Sequence, residues 1–271
     1  MLKKRLIFIL LYNDGYFMLS RNFRLQKVGD LRWLKINYNF SYISFSIDEL
    51  IVLDITRGQR DKKIFCEHLK MLIDGCFVPI SVGGGIRSVS DARLLLRSGA
   101  DKIVINTPLY ENESSHFVHE LASEFGQQCI VAAMDLKQSA TTNYQVWVEN
   151  GMRCLENDAF EYLKELSEYP VGEILINSID RDGTGQGLDM KILNIIPESL
   201  SKPVIIAGGV GYAKHLHEGL LDSRVDAVAT AHLFNFVGNG LRKARESLVS
   251  SGIALSRWDP SVFESNISSI D

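Results

Sequence analysis

Along the chain, short continuous apolar runs alternate with stretches in which apolar residues recur every three to four positions. The runs are "RLIFILL" (5–11), "ELIVLDIT" (49–56), "PISVGG" (79–84), "KIVIN" (102–106), "CIVAAMD" (129–135), "EILINSID" (173–180), "PVIIAGG" (203–209) and "DAVATA" (226–231). They are rich in Val and Ile and apolar on both faces, as parallel strands covered on both sides must be. Between them lie amphipathic helical segments such as "VSDARLLLRSG" and "DAFEYLKELSEY". Eight strand–helix units in 271 residues predict a (β/α)8 TIM barrel in one domain, 1–271. A doubly wound open sheet is the alternative.

The chain also repeats itself. "DELIVLDIT" matches "GEILINSID" at an offset of 124, pairing Glu49 with Glu173. "VPISVGGGI" matches "KPVIIAGGV" at the same offset, pairing Gly84 with Gly208 and Gly85 with Gly209, while "ADKIVINT" matches "VDAVATAH" with a slip of one residue. Two four-strand halves about a pseudo-twofold axis follow. Each half alone would leave sheet edges open, so the repeat favours a closed barrel. At this offset the first strand carries Leu11 where "CIVAAMDLK" carries Asp135. Why one copy holds a carboxylate and the other a leucine is a question for function.

Two stretches fall outside the repeat. Residues 16–46 read as a long loop with Arg21, Arg24, Lys27, Arg32 and Lys35, either a solvated loop or a basic lid over an anionic substrate. A polar tail, about 257–271, reads as frayed.

Charge and composition narrow the function. A net charge of -4 supplies no basic face for nucleic acid. Cys66, Cys76, Cys129 and Cys154 are scattered without a CxxC pair and read as reduced, mostly buried thiols of a cytoplasmic protein. The histidines are dispersed too, and "HLH" (215–217) reads as part of a surface helix, so neither a metal site nor a cofactor is expected. The apolar start, "RLIFILLYNDG", ends in a turn rather than a cleavage site and is too short to span a bilayer.

Glycine lets backbone N–H groups approach an anion, and helix N-termini favour negative charge. "VGGGIRSVSDA" alone is a weak sign of this, equally a tight turn; its twin "AGGVG" strengthens it. Two cradles, at Gly84–Gly85 and Gly208–Gly209, suit a molecule with a phosphate at each end. "IDRDGTGQG" adds Asp182, Gly183 and Thr184 beside the second.

"VGGGIRSVSDA", "SGADKIVINT", "GEILINSIDRDGTGQGLD" and "PVIIAGGVG" closely resemble the cyclase subunit of imidazole glycerol phosphate synthase, in order from about Arg5 to Phe236. The resemblance implies a barrel that takes ammonia from a glutaminase partner, docked at its N-terminal face, to close an imidazole ring in histidine biosynthesis. It implies a first phosphate site at Gly85, Asn106 and Thr107, and a second at Gly183, Thr184, Gly209, Ala231 and His232, with His232 in place of the usual serine. Asp182 would line the pocket mouth. Arg5, Glu49, Lys102 and Glu173 match a charged ring through which ammonia enters. The same four charges also read as ion pairs plugging the barrel end.

The family's two catalytic aspartates face each other across the pocket. Asp135 matches one, and Leu11 replaces the other. A subgroup with "LL" at this place resembles the chain more closely. In it the barrel serves surface-polysaccharide synthesis beside a glutaminase and a third, amidotransferase protein that modifies a nucleotide sugar. The readings carried forward are therefore three: an ammonia-channelling subunit diverged towards sugar amidation, a histidine-pathway cyclase with an altered acid pair, and a non-catalytic phosphate-binding scaffold that activates a glutaminase. A related two-phosphate sugar isomerase would need no ammonia gate.

Overall fold

The computed structural model describes residues 3–37, 46–74, 76–111, 114–139, 143–231 and 240–256. Twelve strands follow in chain order: β1 (Arg5–Asn13), β2 (Tyr16–Arg21), β3 (Arg24–Asp30), β4 (Glu49–Asp54), β5 (Ile80–Gly83), β6 (Lys102–Ile105), β7 (Ile130–Gln138), β8 (Tyr144–Val148), β9 (Arg153–Asp158), β10 (Glu173–Ser178), β11 (Val204–Ala207) and β12 (Ala227–Thr230). The helices are α1 (Leu31–Asn37), α2 (Lys62–Ile73), α3 (Val89–Arg97), α4 (Ser114–Phe125), α5 (Ala159–Glu168), α6 (Ala213–Leu221) and α7 (Gly240–Ser250).

Eight strands pair in parallel in the order β1-β4-β5-β6-β7-β10-β11-β12, and β12 returns to β1. The sheet is thus a closed (β/α)8 barrel. The expected runs become its strands because both faces of each are buried: outer residues pack under the helices, and inner ones fill the barrel with Ile7, Ile9, Ile51, Val131, Ile205 and their neighbours. Helix starts are fixed locally. Asp61, Ser88 and Asp158 each accept a hydrogen bond from a backbone N–H three residues on, capping α2, α3 and α5.

The twofold repeat recurs bond for bond. Asp48 N donates to Leu6 O at 2.8 Å, and Gly172 N to Ile130 O at 2.9 Å. Ile55 N donates to Tyr12 O, and Ile179 N to Leu136 O, each at 2.8 Å. Asp101 and Asp226 accept from Ile80 N and Val204 N at 2.8 and 2.9 Å. The halves therefore differ in their side chains, not in how their strands are spliced.

The first half carries a buried staple of its own. Arg245 of α7 meets both oxygens of Asp48 at 2.9 and 2.7 Å, and Asp48 also accepts from Leu6 N. This pair ties the last helix to the seam between β1 and β4.

Much of the segment expected as a loop is ordered structure. Residues 16–30 form the β2–β3 hairpin on the end of β1, and α1 follows. Phe17 and Met18 are buried, which holds the hairpin down, while its polar outer face hid it from a pattern search. Residues 38–45, like the tail 257–271, lie outside the described residues. A second antiparallel extension, β8–β9, grows from β7. Cys66 is buried, whereas Cys76, Cys129 and Cys154 are half-buried, so the thiols are less enclosed than expected. The "HLH" residues lie on α6, where His215 Nδ1 accepts from Gly211 N at 3.1 Å. Among the described residues no helix is long and apolar enough to cross a membrane.

Candidate binding pocket and charged ring

The C-terminal ends of the barrel strands enclose a cavity of about 580 Å³. Its floor is the apolar barrel interior, including Ile9, Val104, Ala133, Leu175 and Ala229.

Asp135, on β7, stands on this floor. Asn106 Nδ2 donates to one carboxylate oxygen at 3.0 Å and Asn177 Nδ2 to the other at 2.9 Å. Exclusion of bulk water pushes its pKa up to about 6, the Asp182 charge adds to the rise, and the two amides oppose it. The result is a carboxylate that is mostly ionised at neutral pH yet able to hold a proton.

Leu11 lies on the opposite side of the floor. The repeat maps Asn177 onto Leu53 and Asn106, with the one-residue slip, onto Ala231. Leu11 and Leu53 are register partners, as Asp135 and Asn177 are. Leu11, Leu53 and Ala231 all pack against the apolar interior cluster. Within this chain, then, the polar triad of one half has an apolar image in the other.

The expected phosphate residues divide by position. Gly84, Gly85, Asn106, Thr107, Gly183, Gly208, Gly209 and Ala231 line the cavity. Thr184 does not; its hydroxyl donates to Arg181 O at 2.8 Å within its own loop. His232 lies outside the described residues. Glycine is required at both turns. A Cβ at Gly84 (φ 115°) would sit 2.2 Å from Asp54 O, and one at Gly208 (φ 94°) 2.6 Å from Ser178 O. The Asn106 side chain faces Asp135, with one of its two Nδ2 hydrogens engaged there.

Two hairpin tips meet over the mouth. Ser20 Oγ and Phe23 N donate to Asp182 Oδ2 at 2.5 and 3.0 Å, and burial raises the Asp182 pKa against these bonds. Arg57 Nη2 reaches Phe23 O at 3.0 Å and Asn150 O, at the β8–β9 tip, at 3.4 Å. Phe23 packs so closely on Gly151 that a Cβ there would lie 2.5 Å from its ring. Sequence reading overlooked Ser20, Phe23, Arg57 and Asn177; the last was within reach through its pairing with Leu53 at the repeat offset.

The other barrel end holds the charged ring. Arg5, Glu49, Lys102 and Glu173 are the first residues of β1, β4, β6 and β10. Each acid touches both bases, and all four ion pairs measure 3.0 Å. Ser81 Oγ adds a bond to Glu49 Oε1 at 2.5 Å. Ala227, the twin of Lys102 in the repeat, is the register partner of Arg5. Among the described residues no group of His, Cys, Asp and Glu is placed to hold a metal ion.

Closed barrel, bond-for-bond repeat and paired glycine turns define the class as a twofold-repeated (β/α)8 barrel. Residues 36–238 match the family described as "Histidine biosynthesis protein". The chain is also 48% identical, over 259 residues covering 95% of each sequence, to a protein of Parasynechococcus marenigrum (strain WH8102) described as "Putative imidazole glycerol phosphate synthase subunit hisF2". The chain belongs to the histidine biosynthesis protein family, on the cyclase-subunit side of it.

Proposed function

We propose that the protein is the ammonia-accepting subunit of a glutamine amidotransferase, with a pocket diverged from imidazole ring closure towards amidation of a nucleotide sugar for surface polysaccharide. The observation that carries this reading is the apolar image of the Asp135 triad, formed by Leu11, Leu53 and Ala231. Ring closure moves protons at more than one centre, and a pair of carboxylates can divide the acid and base roles. Here one side of the pocket keeps a carboxylate and both its amide donors; the other keeps no polar side chain at the three equivalent positions.

In this reading a glutaminase docks at the N-terminal face, and ammonia passes the ring Arg5, Glu49, Lys102 and Glu173. It then crosses an apolar interior that includes Ala133, Ala207, Ala227 and Ala229. The Gly84–Gly85 and Gly208–Gly209 turns, with Asn106, Thr107, Gly183 and Ala231, hold the phosphorylated acceptor. Asp135 relays protons from the incoming nitrogen to the oxygen of the sugar's acetamido group as the C–N bond replaces the C–O bond, and that oxygen leaves as water. A third protein, the amidotransferase of the sugar, assists at the acceptor.

A second reading, a histidine-pathway cyclase, is favoured by the name of the Parasynechococcus marenigrum relative, which matches 95% of the chain. Turnover of the histidine-pathway precursor by the purified chain, with an ammonium salt as nitrogen source, separates the two. The same assay is run on Leu11→Asp and on Leu11→Asp/Leu53→Asn/Ala231→Asn, which rebuilds the whole image. An inert wild type beside an active triple variant supports divergence of the pocket. Wild-type turnover at an ordinary enzymatic rate overturns it and leaves the cyclase.

A further inference from the structure

The two glycine cradles share a backbone but not their charge. "DITRGQR" (54–60) follows β4, and "SIDRDGT" (178–184) follows β10 at the repeat offset, so Arg60 is the twin of Thr184. The second half has a short side chain folded back on its own loop, its hydroxyl donating to Arg181 O. The first half instead sends a guanidinium to the cavity wall.

Arg60 lies directly on the first cradle. A Cβ at Gly85 would meet its Cδ at 2.8 Å and its Nε and Nη1 at 3.2 Å. The Arg60 Nε is buried and makes no hydrogen bond; Asp54, at 3.6 Å, is its nearest acid. The neighbouring arginines are otherwise engaged: Arg57 holds the hairpin tips, and Arg87 is paired with Glu111. Each cradle has a buried acid near it, Asp54 against Gly84 and Asp182 beside Gly183; at the second, Arg181 packs its Cβ on Gly209 but does not line the cavity, whereas Arg60 does. Guanidinium groups match phosphate geometry with parallel N–H donors, so a half-buried one with an unused Nε–H beside a glycine cradle is a phosphate ligand in waiting.

We infer that Arg60 is a substrate-binding residue, and that it makes the first cradle the seat of the more highly charged phosphoryl end of the ligand: a dianionic phosphate or a diphosphate. The inference rests on the reading of both glycine turns as phosphate sites. It adds polarity to that reading: the ligand enters one way round, its anionic head at β4–β6 and its less charged end at β10–β12. A symmetric pair of cradles would leave that direction undefined.

Titration with inorganic phosphate and with pyrophosphate, followed by backbone amide shifts in NMR, tests this on wild type, Arg60→Thr and Arg60→Lys. In wild type, the Gly85 and Thr107 amides respond at lower ligand concentration than those of Gly208 and Gly209, and more strongly so for pyrophosphate. Loss of a charged hydrogen-bond partner in Arg60→Thr weakens the first site by about tenfold to a hundredfold and leaves the second unchanged. Arg60→Lys keeps the charge without the fork and lies between the two. First-site affinity within twofold of wild type in both variants overturns the inference while leaving the cradles standing. A fall in melting temperature with unchanged affinity does the same, and assigns Arg60 to neutralising Asp54. If neither glycine pair responds to either anion in wild type, the phosphate reading itself fails, and the inference with it. Should Arg60→Thr not fold, Arg60→Lys carries the test, and unchanged pyrophosphate affinity in it overturns the inference.

Discussion

The two sides of the pocket floor are built from equivalent positions and have opposite chemistry. Asp135 is held by two amides from neighbouring strands, whereas Leu11, Leu53 and Ala231 present hydrocarbon in the same arrangement. The backbone under both is spliced by matching hydrogen bonds. What separates the sides is therefore side-chain chemistry alone, and it differs at all three equivalent positions. A carboxylate needs its donors, and donors stranded beside a leucine would be buried polar groups without partners.

The strongest way to break the comparison is to remove its polar side. Asp135→Ala should lower ammonia-dependent turnover of the true acceptor by about 10²- to 10⁴-fold. In wild type the rate should fall as pH drops through about 6, where the base is lost to protonation, and the variant should show no such limb. A pH–rate profile checks both.

Copying the carboxylate across without its amides should cost stability. Leu11→Asp places an acid among Leu53, Ala231 and the apolar floor, which raises its pKa above the unfolded value. A group of that kind is best tolerated when protonated, so the deficit in melting temperature should be larger at pH 8 than at pH 5. Adding Leu53→Asn should recover part of it, with a coupling of about 1 kcal/mol in a double-mutant cycle. Purely additive losses would mean that the triad does not act as a unit.

At the far end of the barrel, Lys102→Ala copies its twin Ala227 and leaves Glu49 and Glu173 sharing Arg5. Unfolding in urea should show a loss of about 2 kcal/mol, since two charged hydrogen bonds are lost and two acids are left with one cation between them. The smallest effect belongs to a surface control, Arg87→Ala. Its pair with Glu111 is half exposed, and the loss should stay below about 1 kcal/mol by the same measurement.

The barrel was legible in the sequence because its strands are buried on both faces and leave unbroken Val and Ile runs. The β2–β3 hairpin was not. Its tip, Asn22–Phe23, takes left-handed φ values of 51° and 61°, and Phe is not a residue that advertises such a turn. Asp135 stood out as a charge at the end of an apolar strand, and the ring was reached through the family resemblance. Asn177 escaped notice inside "EILINSID", where an inward amide looks like any polar residue at a strand end. Arg60 escaped because a search for likeness passes over positions where two copies differ, and there one copy had gained a cation.

On the proposed ammonia path the ring also has a kinetic meaning. Because each acid bridges both bases, the circuit is redundant: if the Lys102 ammonium swings aside, Arg5 still contacts both carboxylates. The bottleneck can then open at one corner without any acid losing its last partner. A latch of this kind can flicker with side-chain rotation, while the surrounding strands stay still.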